Sequence, residues 1–161
     1  MESAYIETSV VSYLVVRPPA GTLSHQWHEW TKDWWCLRRP LFECVISTEV
    51  LREAAAGDPK SSQQRLDALS TLTVLRRTQA VDDLLDAFLA GGTMPVKARA
   101  DAAHLAFATI YRMSYLLTWN CKHLANAEIL FRLRPIAERL GHHLPVVCTP
   151  LQLMGEIEYE D

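Results

Sequence analysis

The sequence predicts an α/β fold, a three-layer α/β/α sandwich around a central and mostly parallel sheet. Short apolar or β-branched runs alternate along the chain with longer stretches in which apolar residues recur at helical spacing. Glycines and prolines lie between these segments, with no internal repeat and no linker. A parallel connection needs a crossover, which a helix usually supplies, so this alternation indicates a parallel sheet.

The elements follow in chain order. The predicted strands cover residues 4–6, 42–46, 73–75, 115–119 and 145–148. The predicted helices cover residues 8–16, 24–37, 61–69, 81–89, 97–113 and 127–140, together with the stretch from residue 47 or 48 to the turn at 57–59. Thr8 or Ser9 is expected to cap the first helix, and Pro18 ends it because proline cannot continue a helix.

Length and composition indicate one compact domain. The 161 residues are 49% hydrophobic, which is enough apolar material for a core. We expect a single domain over residues 1–155 and an acidic tail at 156–161. The formal net charge of -3 offers no general attraction for a polyanion, so a nucleic acid would need a local positive surface. Neither a membrane span nor a signal peptide is evident, so we expect a cytoplasmic protein.

Four tryptophans lie close together in the second predicted helix, at Trp27, Trp30, Trp34 and Trp35. Their spacing places most of them on one helical face. They could pack in the core or at a dimer surface, or they could stack on nucleic-acid bases. We expect packing, because base-stacking surfaces usually combine aromatic with basic residues.

The four cysteines are widely spaced and form no CxxC pair, which argues against a zinc ribbon and against a disulfide scaffold. We therefore expect reduced thiols. Cys121 and His123 stand two positions apart, but structural zinc needs four ligands, so packing or surface roles are favoured for both.

Polar side chains follow several of the predicted strands. Glu7 comes directly after the first strand, Ser47 after the second and Asn120 after the fourth. Because ligands bind beyond the carboxyl ends of parallel strands, we expect these side chains at one edge of the sheet. Glu53 and Asp101, which lie in the early part of following helices, can join them.

A cluster of carboxylates needs a positive charge, because neighbouring negative charges repel each other. Carboxylate and amide oxygens are the ligands that Mg²⁺ and Mn²⁺ prefer, and such a cation activates water for phosphodiester hydrolysis. Structural roles also stay open. Asp101 can serve a helix dipole and Asn120 a turn, while Glu53 can be a surface residue with Glu49 as the fallback ligand. We expect His104 to be packed or hydrogen-bonded rather than a catalytic base.

These residues lie in segments that resemble the PIN-domain ribonucleases, and among them the VapC-type toxins of type II toxin-antitoxin pairs. Four motifs carry the resemblance: YIETSVVSYL at 5–14, ISTEVLRE at 46–53, MPVKARADAAHLAFA at 94–108 and LLTWNCKHLANA at 116–127. Together they span nearly the whole chain, and their order and spacing carry more weight than any single motif.

The resemblance implies a role for each acidic position. Glu7 stands where the family usually has the aspartate of its first motif. Glu53 matches the family's helix glutamate and Asp101 its central aspartate, while Asn120 replaces a further aspartate. These four are the predicted catalytic and metal-binding residues. Because an amide is neutral, three negative charges remain instead of four, and we expect weaker cation binding.

The resemblance also implies an endoribonuclease that uses Mg²⁺ or Mn²⁺, forms a homodimer and is neutralised by a small antitoxin. The predicted substrate contacts have hydroxyl or basic side chains that suit phosphate, and they are Thr8, Ser9, Lys97, Arg99 and Lys122. Two alternatives stay open. One is a non-catalytic PIN-like protein that binds RNA or a partner and has a degenerate metal site. The other is a small phosphohydrolase with Asp101 or Glu7 as its nucleophile.

Overall fold

A computed structural model describes residues 1–156 of the chain. The strands are β1 (Ser3–Ile6), β2 (Glu43–Ser47), β3 (Thr73–Leu75), β4 (Tyr115–Leu117) and β5 (Val146–Cys148). Within those residues the α-helices are α1 (Thr8–Val15), α2 (Leu23–Asp33), α3 (Thr48–Ala54), α4 (Pro59–Leu69), α5 (Gln79–Ala90), α6 (Arg99–Ile110) and α7 (Ala127–Arg139). The predicted acidic tail lies outside the described residues, except for Glu156.

The five strands form one parallel sheet in the order β3-β2-β1-β4-β5. Ala4 of β1 is in register with Cys44 of β2 on one side and with Tyr115 of β4 on the other. From β1 the chain adds strands first in one direction and then in the other, so right-handed crossovers place helices on both faces. α1 packs with α2, α3 and α4, whereas α5 packs with α6 and α7. The predicted α/β fold with a parallel sheet is confirmed.

The core lies around the central strands and α6. Ala4, Tyr5 and Ile6 of β1 are completely buried, as expected for a strand covered by helices on both faces. α6 is buried from residue 102 to residue 109. A helix buried all round has no polar face, so His104 in its middle lies in the interior. Within residues 1–156 no helix is both long enough and apolar enough to cross a membrane.

Several predicted helix ends differ from the structure, and three of these differences have a clear physical reason. The cap of α1 is Glu7, whose carboxylate accepts the backbone N–H of Ser9, rather than a hydroxyl residue. α4 begins at Pro59, because proline suits the first helical position and Asp58 caps it. α6 ends at Ile110, where the chain turns through Arg112 with a φ of 56°, a left-handed conformation that ends a helix.

The tryptophans pack against the protein interior, as predicted. Trp34 is completely buried in a short π-helical turn (Trp34–Arg38) that continues α2. Trp27 stacks on Trp119 with ring centroids 4.7 Å apart and planes inclined by 10°. The indole N–H of Trp119 donates to Thr31 Oγ1 over 2.7 Å. This cluster fixes α2 to the segment that follows β4, which also carries Asn120.

The four cysteines are free thiols. Cys36 and Cys121 are exposed, whereas Cys148 is buried and Cys44 is half-buried. Burial raises the pKa of Cys44 and of Cys148 to about 11, because the thiolate would lose its hydration. These two thiols are therefore protonated at neutral pH and take part in packing.

Candidate active site

The candidate site lies at the carboxyl ends of the central strands. Glu7 follows β1, Ser47 is the last residue of β2, and Thr118 to Asn120 follow β4. The strand order reverses direction at β1, so the junction between β1 and β4 is a topological switch point. Helix N-termini and loops diverge there and leave a crevice in which parallel sheets bind ligands.

Glu7 is a buried carboxylate, only 5% exposed, at this junction. Its Oε2 accepts hydrogen bonds from Ser9 N over 2.7 Å and from Thr118 Oγ1 over 3.3 Å. Burial raises the pKa of Glu7, because the ionised form is poorly hydrated. The positive charge of His104 and the contacts with Ser9 oppose this increase without cancelling it. Glu7 therefore has less compensating charge than its burial requires.

Glu53 is held by two polar side chains. His104 Nε2 lies 2.5 Å from Glu53 Oε1, and the Thr8 hydroxyl donates to the same oxygen over 2.7 Å. Partial burial alone would raise the pKa of Glu53, but the hydrogen bond and charge of His104 outweigh it and lower the pKa overall. Glu53 is therefore ionised at neutral pH, with one oxygen occupied by these two donors.

His104 continues this contact into the interior. Complete burial alone would lower the pKa of His104, but its hydrogen bond with Glu53 and the charges of nearby glutamates raise it. Its Nδ1 lies 2.7 Å from the Tyr5 hydroxyl, which in turn lies 2.7 Å from Ser47 Oγ. Burial raises the pKa of Tyr5 well above its ordinary value, so the phenol keeps its proton. The predicted hydrogen-bonded role of His104 is confirmed.

Asp101 lies in the first turn of α6, one turn before His104. Its Oδ2 accepts a hydrogen bond from His123 Nδ1 over 3.0 Å. Asn120 Oδ1 accepts the backbone N–H of His123 over 3.0 Å, and Asn120 N donates to Thr118 Oγ1 over 2.9 Å. Asn120 thus has the turn-forming contact that its residue type favours, and it also connects Asp101 to the rest of the site.

These contacts form two hydrogen-bonded groups, one that runs from Glu7 to Asp101 and one around Glu53 and His104. Thr118 and the Asn120–His123 turn link Glu7 to Asp101. Glu53 joins through His104, whose charge acts on both Glu7 and Glu53. The structure therefore brings the four predicted residues into one polar region. Their carboxylates are directed to protein donors rather than to one another.

The predicted substrate contacts lie in two kinds of place. Thr8 and Ser9 are half-buried and support the carboxylates of Glu53 and Glu7. The basic residues are exposed, and they are Lys97, Arg99 and Lys122. Arg99 lies at the beginning of α6, two residues before Asp101, and its guanidinium contacts Asp86 over 3.3 Å.

The chemistry of the donors suits a hard cation. Glu7, Asp101 and Asn120 offer oxygen atoms, which Mg²⁺ and Mn²⁺ prefer. In the described part of the chain, no group of three or more His, Cys, Asp or Glu side chains is placed to hold a metal ion. Mg²⁺ usually retains several water ligands and takes only one or two carboxylates from a protein, so the oxygen donors fit this ion without such a group.

Sequence reasoning missed two partners of the carboxylates. It did not pair His123 with Asp101, which lies 22 positions away, and it did not predict that Thr118 contacts Glu7. The turn signal at Asn120 gave the only local hint, because a turn there brings His123 back toward the sheet. The contact between Glu53 and His104 was easier to predict from the sequence. His104 shares a helical face with Asp101, which was already a predicted site residue.

The fold is thus a five-stranded parallel sheet with helices on both faces, with acidic residues after β1 and at the start of α6. No protein-family model matches the sequence, and no curated protein is significantly similar to it. Solved structures are similar to it in fold.

FitAcB from Neisseria gonorrhoeae has a TM-score of 0.59 at 15% identity, over 92% of this chain and 98% of that chain. VapBC2 from Rickettsia felis, solved bound to a DNA fragment from their promoter, has a TM-score of 0.55 at 15% identity, over 91% of this chain and 97% of that chain. At this identity the similarity establishes the fold. At that level it confirms the resemblance to VapC-type PIN domains.

Proposed function

We propose that the protein is a divalent-cation-dependent endoribonuclease, the toxin of a toxin-antitoxin pair, whose site contains Glu7, Glu53, Asp101 and Asn120. The observation that carries this proposal is the hydrogen-bonded chain that joins Glu7, Asn120 and Asp101 at the switch point of a PIN-like sheet. The charge of His104, the partner of Glu53, also acts on Glu7. Four residues from four separate segments meet there, at the edge where parallel sheets bind ligands.

Glu7 and Asp101 would hold the cation, with Glu53 and Asn120 as further oxygen donors. A bound Mg²⁺ or Mn²⁺ ion supplies charge neutralisation at the phosphate and a more acidic water molecule. The raised pKa of Glu7 supports its role, because a buried carboxylate that lacks compensating charge favours a nearby cation.

The surrounding residues of the chain orient these carboxylates. His104 and Thr8 both contact Oε1 of Glu53, so its Oε2 can accept a hydrogen bond from a water molecule that attacks phosphorus. His123 fixes one oxygen of Asp101 in the same way. Each carboxylate thus has one oxygen positioned by the protein and one available for chemistry, which reduces the reorganisation needed during reaction.

An antitoxin partner and a homodimer belong to the same proposal. The similarity to VapBC2, which was solved bound to promoter DNA, supports a partner that regulates the toxin. An RNA substrate also implies action in the cytoplasm. Co-expression with the product of a neighbouring small open reading frame, followed by light scattering of the purified complex, measures both partner binding and the number of copies of each chain.

An RNA cleavage assay tests the proposal directly. The wild-type chain is expected to cut end-labelled single-stranded RNA with Mn²⁺ or Mg²⁺ and to lose this activity in EDTA. Asp101→Asn is expected to reduce the rate on the order of 100-fold, because it removes a ligand charge and keeps the side-chain shape. Asp83→Asn makes the same change at an exposed position of α5 and is the matched control. Equal rates for the two variants would overturn the proposal.

One observation favours a second candidate function, a PIN-like protein that binds RNA or a partner without cleaving it. Each of the carboxylates at positions 7, 53 and 101 accepts a hydrogen bond from the protein, and the described residues present no ready-made metal group. This candidate predicts that RNA is bound with the same affinity with and without Mn²⁺ and is recovered intact.

A further inference from the structure

A cavity of about 360 Å³ lies beside the candidate active site, between α3, α5 and α6. Its charged lining consists of Arg52, Arg77, Arg99 and Glu49, and the remaining lining residues are Leu85, Ala100 and Ala103. The lining therefore contains three positive charges and one negative charge. Asp82 and Asp86 pair with two of these arginines at the edge of the cavity, so what the cavity offers a ligand is a cluster of guanidinium N–H donors rather than a net positive charge.

Glu49 organises two of the three guanidinium groups. It is buried, with 7% of its surface exposed, and contacts Arg52 through Nε at 3.3 Å and through a terminal nitrogen at 2.5 Å. A terminal nitrogen of Arg77 lies 3.9 Å from Oε2 of Glu49. One buried carboxylate thus holds two arginines side by side and neutralises only one of them.

The outer ion pairs of the cavity are weak. Arg77 pairs with Asp82 over 2.6 Å and Arg99 pairs with Asp86 over 3.3 Å, and all four side chains are more than a third exposed. Exposed ion pairs of this kind contribute little to folding stability, and their side chains exchange readily between the partner and water. A guanidinium also has more N–H donors than these pairs use, so the arginines can donate to a ligand while they keep their partners.

The cavity adjoins the carboxylate site through two helices. On α3, Glu49 lies one turn before Glu53, so the two share a helical face. On α6, Ala100 and Ala103 line the cavity, and Asp101 and His104 directly follow them in sequence. A ligand long enough to occupy both places would pass over the first turn of α6.

We infer that this arginine cavity binds a backbone phosphate of the RNA strand, next to the phosphate that is cut. The inference rests on the proposed ribonuclease function and adds a second subsite to it. Planar guanidinium groups donate paired N–H bonds to phosphate oxygens, and two of them held side by side by a carboxylate are already oriented. The ligand class is a phosphodiester, bound for its charge and shape rather than for its base.

The test measures RNA binding without catalysis. A fluorescent single-stranded RNA is titrated with the full-length protein in EDTA at several salt concentrations, and fluorescence anisotropy gives the dissociation constant at each. Arg99→Gln is the first variant, because its ion partner is exposed and its removal leaves Glu49 paired. The slope of log affinity against log salt is expected to fall by about 0.7 for each phosphate that the variant no longer neutralises.

Two further variants separate charge from geometry. Arg52→Lys keeps the charge at the cavity and removes the planar fork, and it is expected to weaken RNA binding at low salt with little change in slope. Arg134→Gln removes an exposed arginine of α7 that lies outside the cavity, and it is expected to bind as the wild-type chain does. Thermal unfolding of each variant confirms that the fold is retained.

Each outcome decides the inference. An unchanged slope in Arg99→Gln, together with unchanged affinity in Arg52→Lys, overturns it even when the wild-type chain cuts RNA, which leaves the proposed function standing. No RNA binding by the wild-type chain also overturns it. Weaker binding of a polyglutamate peptide by these variants, with RNA binding unchanged, overturns it in favour of an acidic protein partner. Arginine-dependent RNA binding without metal-dependent cleavage supports the cavity and removes the ribonuclease proposal.

Discussion

His104 Nε2 lies 2.5 Å from Glu53 Oε1, although the two residues are 51 positions apart in sequence. The histidine side chain is completely buried and that of the glutamate is 28% exposed, so the pair joins the interior to the site surface. Removing one partner from such a pair leaves the other charge buried without compensation. The resulting loss of folding free energy is usually larger than the stabilisation that the intact pair provides. The pair therefore couples the stability of the fold to the position of Glu53.

The first prediction concerns the pH dependence of folding stability. The pKa of His104 is raised above its ordinary 6.5, so its contribution is complete below about 6.5 and is lost as pH rises through the folded value. The pKa of Glu53 is lowered below its ordinary 4.5, so its contribution is present above about 4.5 and is lost as pH falls through the folded value. The pair should therefore stabilise the fold most between about pH 4.5 and 6.5.

Urea unfolding in EDTA at a series of pH values measures this contribution. The difference in free energy of unfolding between the wild-type chain and Glu53→Gln is expected to be largest within that window and to shrink above it. A difference that stays constant from pH 4 to pH 9 would contradict the assignment of an ion pair. Glu138→Gln serves as the control, because it makes the same change at an exposed position of α7.

The second prediction is that Glu7→Gln stabilises the protein and removes its activity. The pKa of Glu7 is raised by burial, so the folded state loses stability as pH rises through that pKa and the carboxylate ionises. Glutamine is neutral and keeps an oxygen that can accept the Ser9 N–H. We expect a gain of roughly 0.5–2 kcal/mol at pH 7, the size of other stabilising changes at functional sites.

Chemical denaturation and the RNA cleavage assay together check this second prediction. Glu7→Ala is the comparison, because it removes the charge and also the cap of α1, and it is expected to be less stable than Glu7→Gln by roughly 0.5–2 kcal/mol. A destabilised Glu7→Gln variant would show that the ionised carboxylate supports the fold rather than straining it.

The sequence was sufficient for the fold and for where the candidate residues lie in it, and it was insufficient for their hydrogen-bond partners. Alternating strands and helices predicted the parallel sheet, and residues at strand ends predicted where Glu7 and Asn120 lie. The directions of the carboxylates depend on distant residues instead. Thr118 reaches Glu7 across 111 positions, and His123 reaches Asp101 across 22. No local pattern specifies such pairings, because they arise only when the strands take their order in the sheet.

The arginine cavity could not be predicted from the sequence for the same reason, because its residues meet only in the folded chain. Arg52 is an exposed residue of α3 that looks ordinary for a surface helix, and Arg77 lies in the connection after β3. Of these three arginines, only Arg99 was predicted as a substrate contact, because of its basic side chain. The three meet because β2 and β3 are neighbours and α6 packs against both α3 and α5.

The third prediction concerns the tryptophan cluster. Thr31 Oγ1 accepts the indole N–H of Trp119 over 2.7 Å, and both side chains are buried. Thr31→Val keeps the shape and removes the acceptor, so an N–H is left without a partner. This should cost about 1–3 kcal/mol of folding free energy. Thermal or chemical unfolding measures the effect, and Thr48→Val, the same change at an exposed position, is expected to alter stability far less.

The last prediction decides what Asn120 does. Its Oδ1 accepts the backbone N–H of His123, and aspartate caps such a turn as well as asparagine does. Asn120→Asp should therefore fold normally and add a negative charge beside Glu7 and Asp101. If these residues hold a cation, Mn²⁺ affinity should increase on the order of tenfold, since ligand charge sets the affinity of such sites.

Isothermal titration calorimetry with Mn²⁺ measures this effect of Asn120→Asp. Asn126→Asp provides the matched control, because Asn126 caps α7 through the same kind of hydrogen bond, in which its oxygen accepts the N–H of Ile129 over 3.2 Å. The two variants differ in where the added charge lies. A similar Mn²⁺ affinity for both would mean that residue 120 is only a turn residue, and the cation would then have to be held without it.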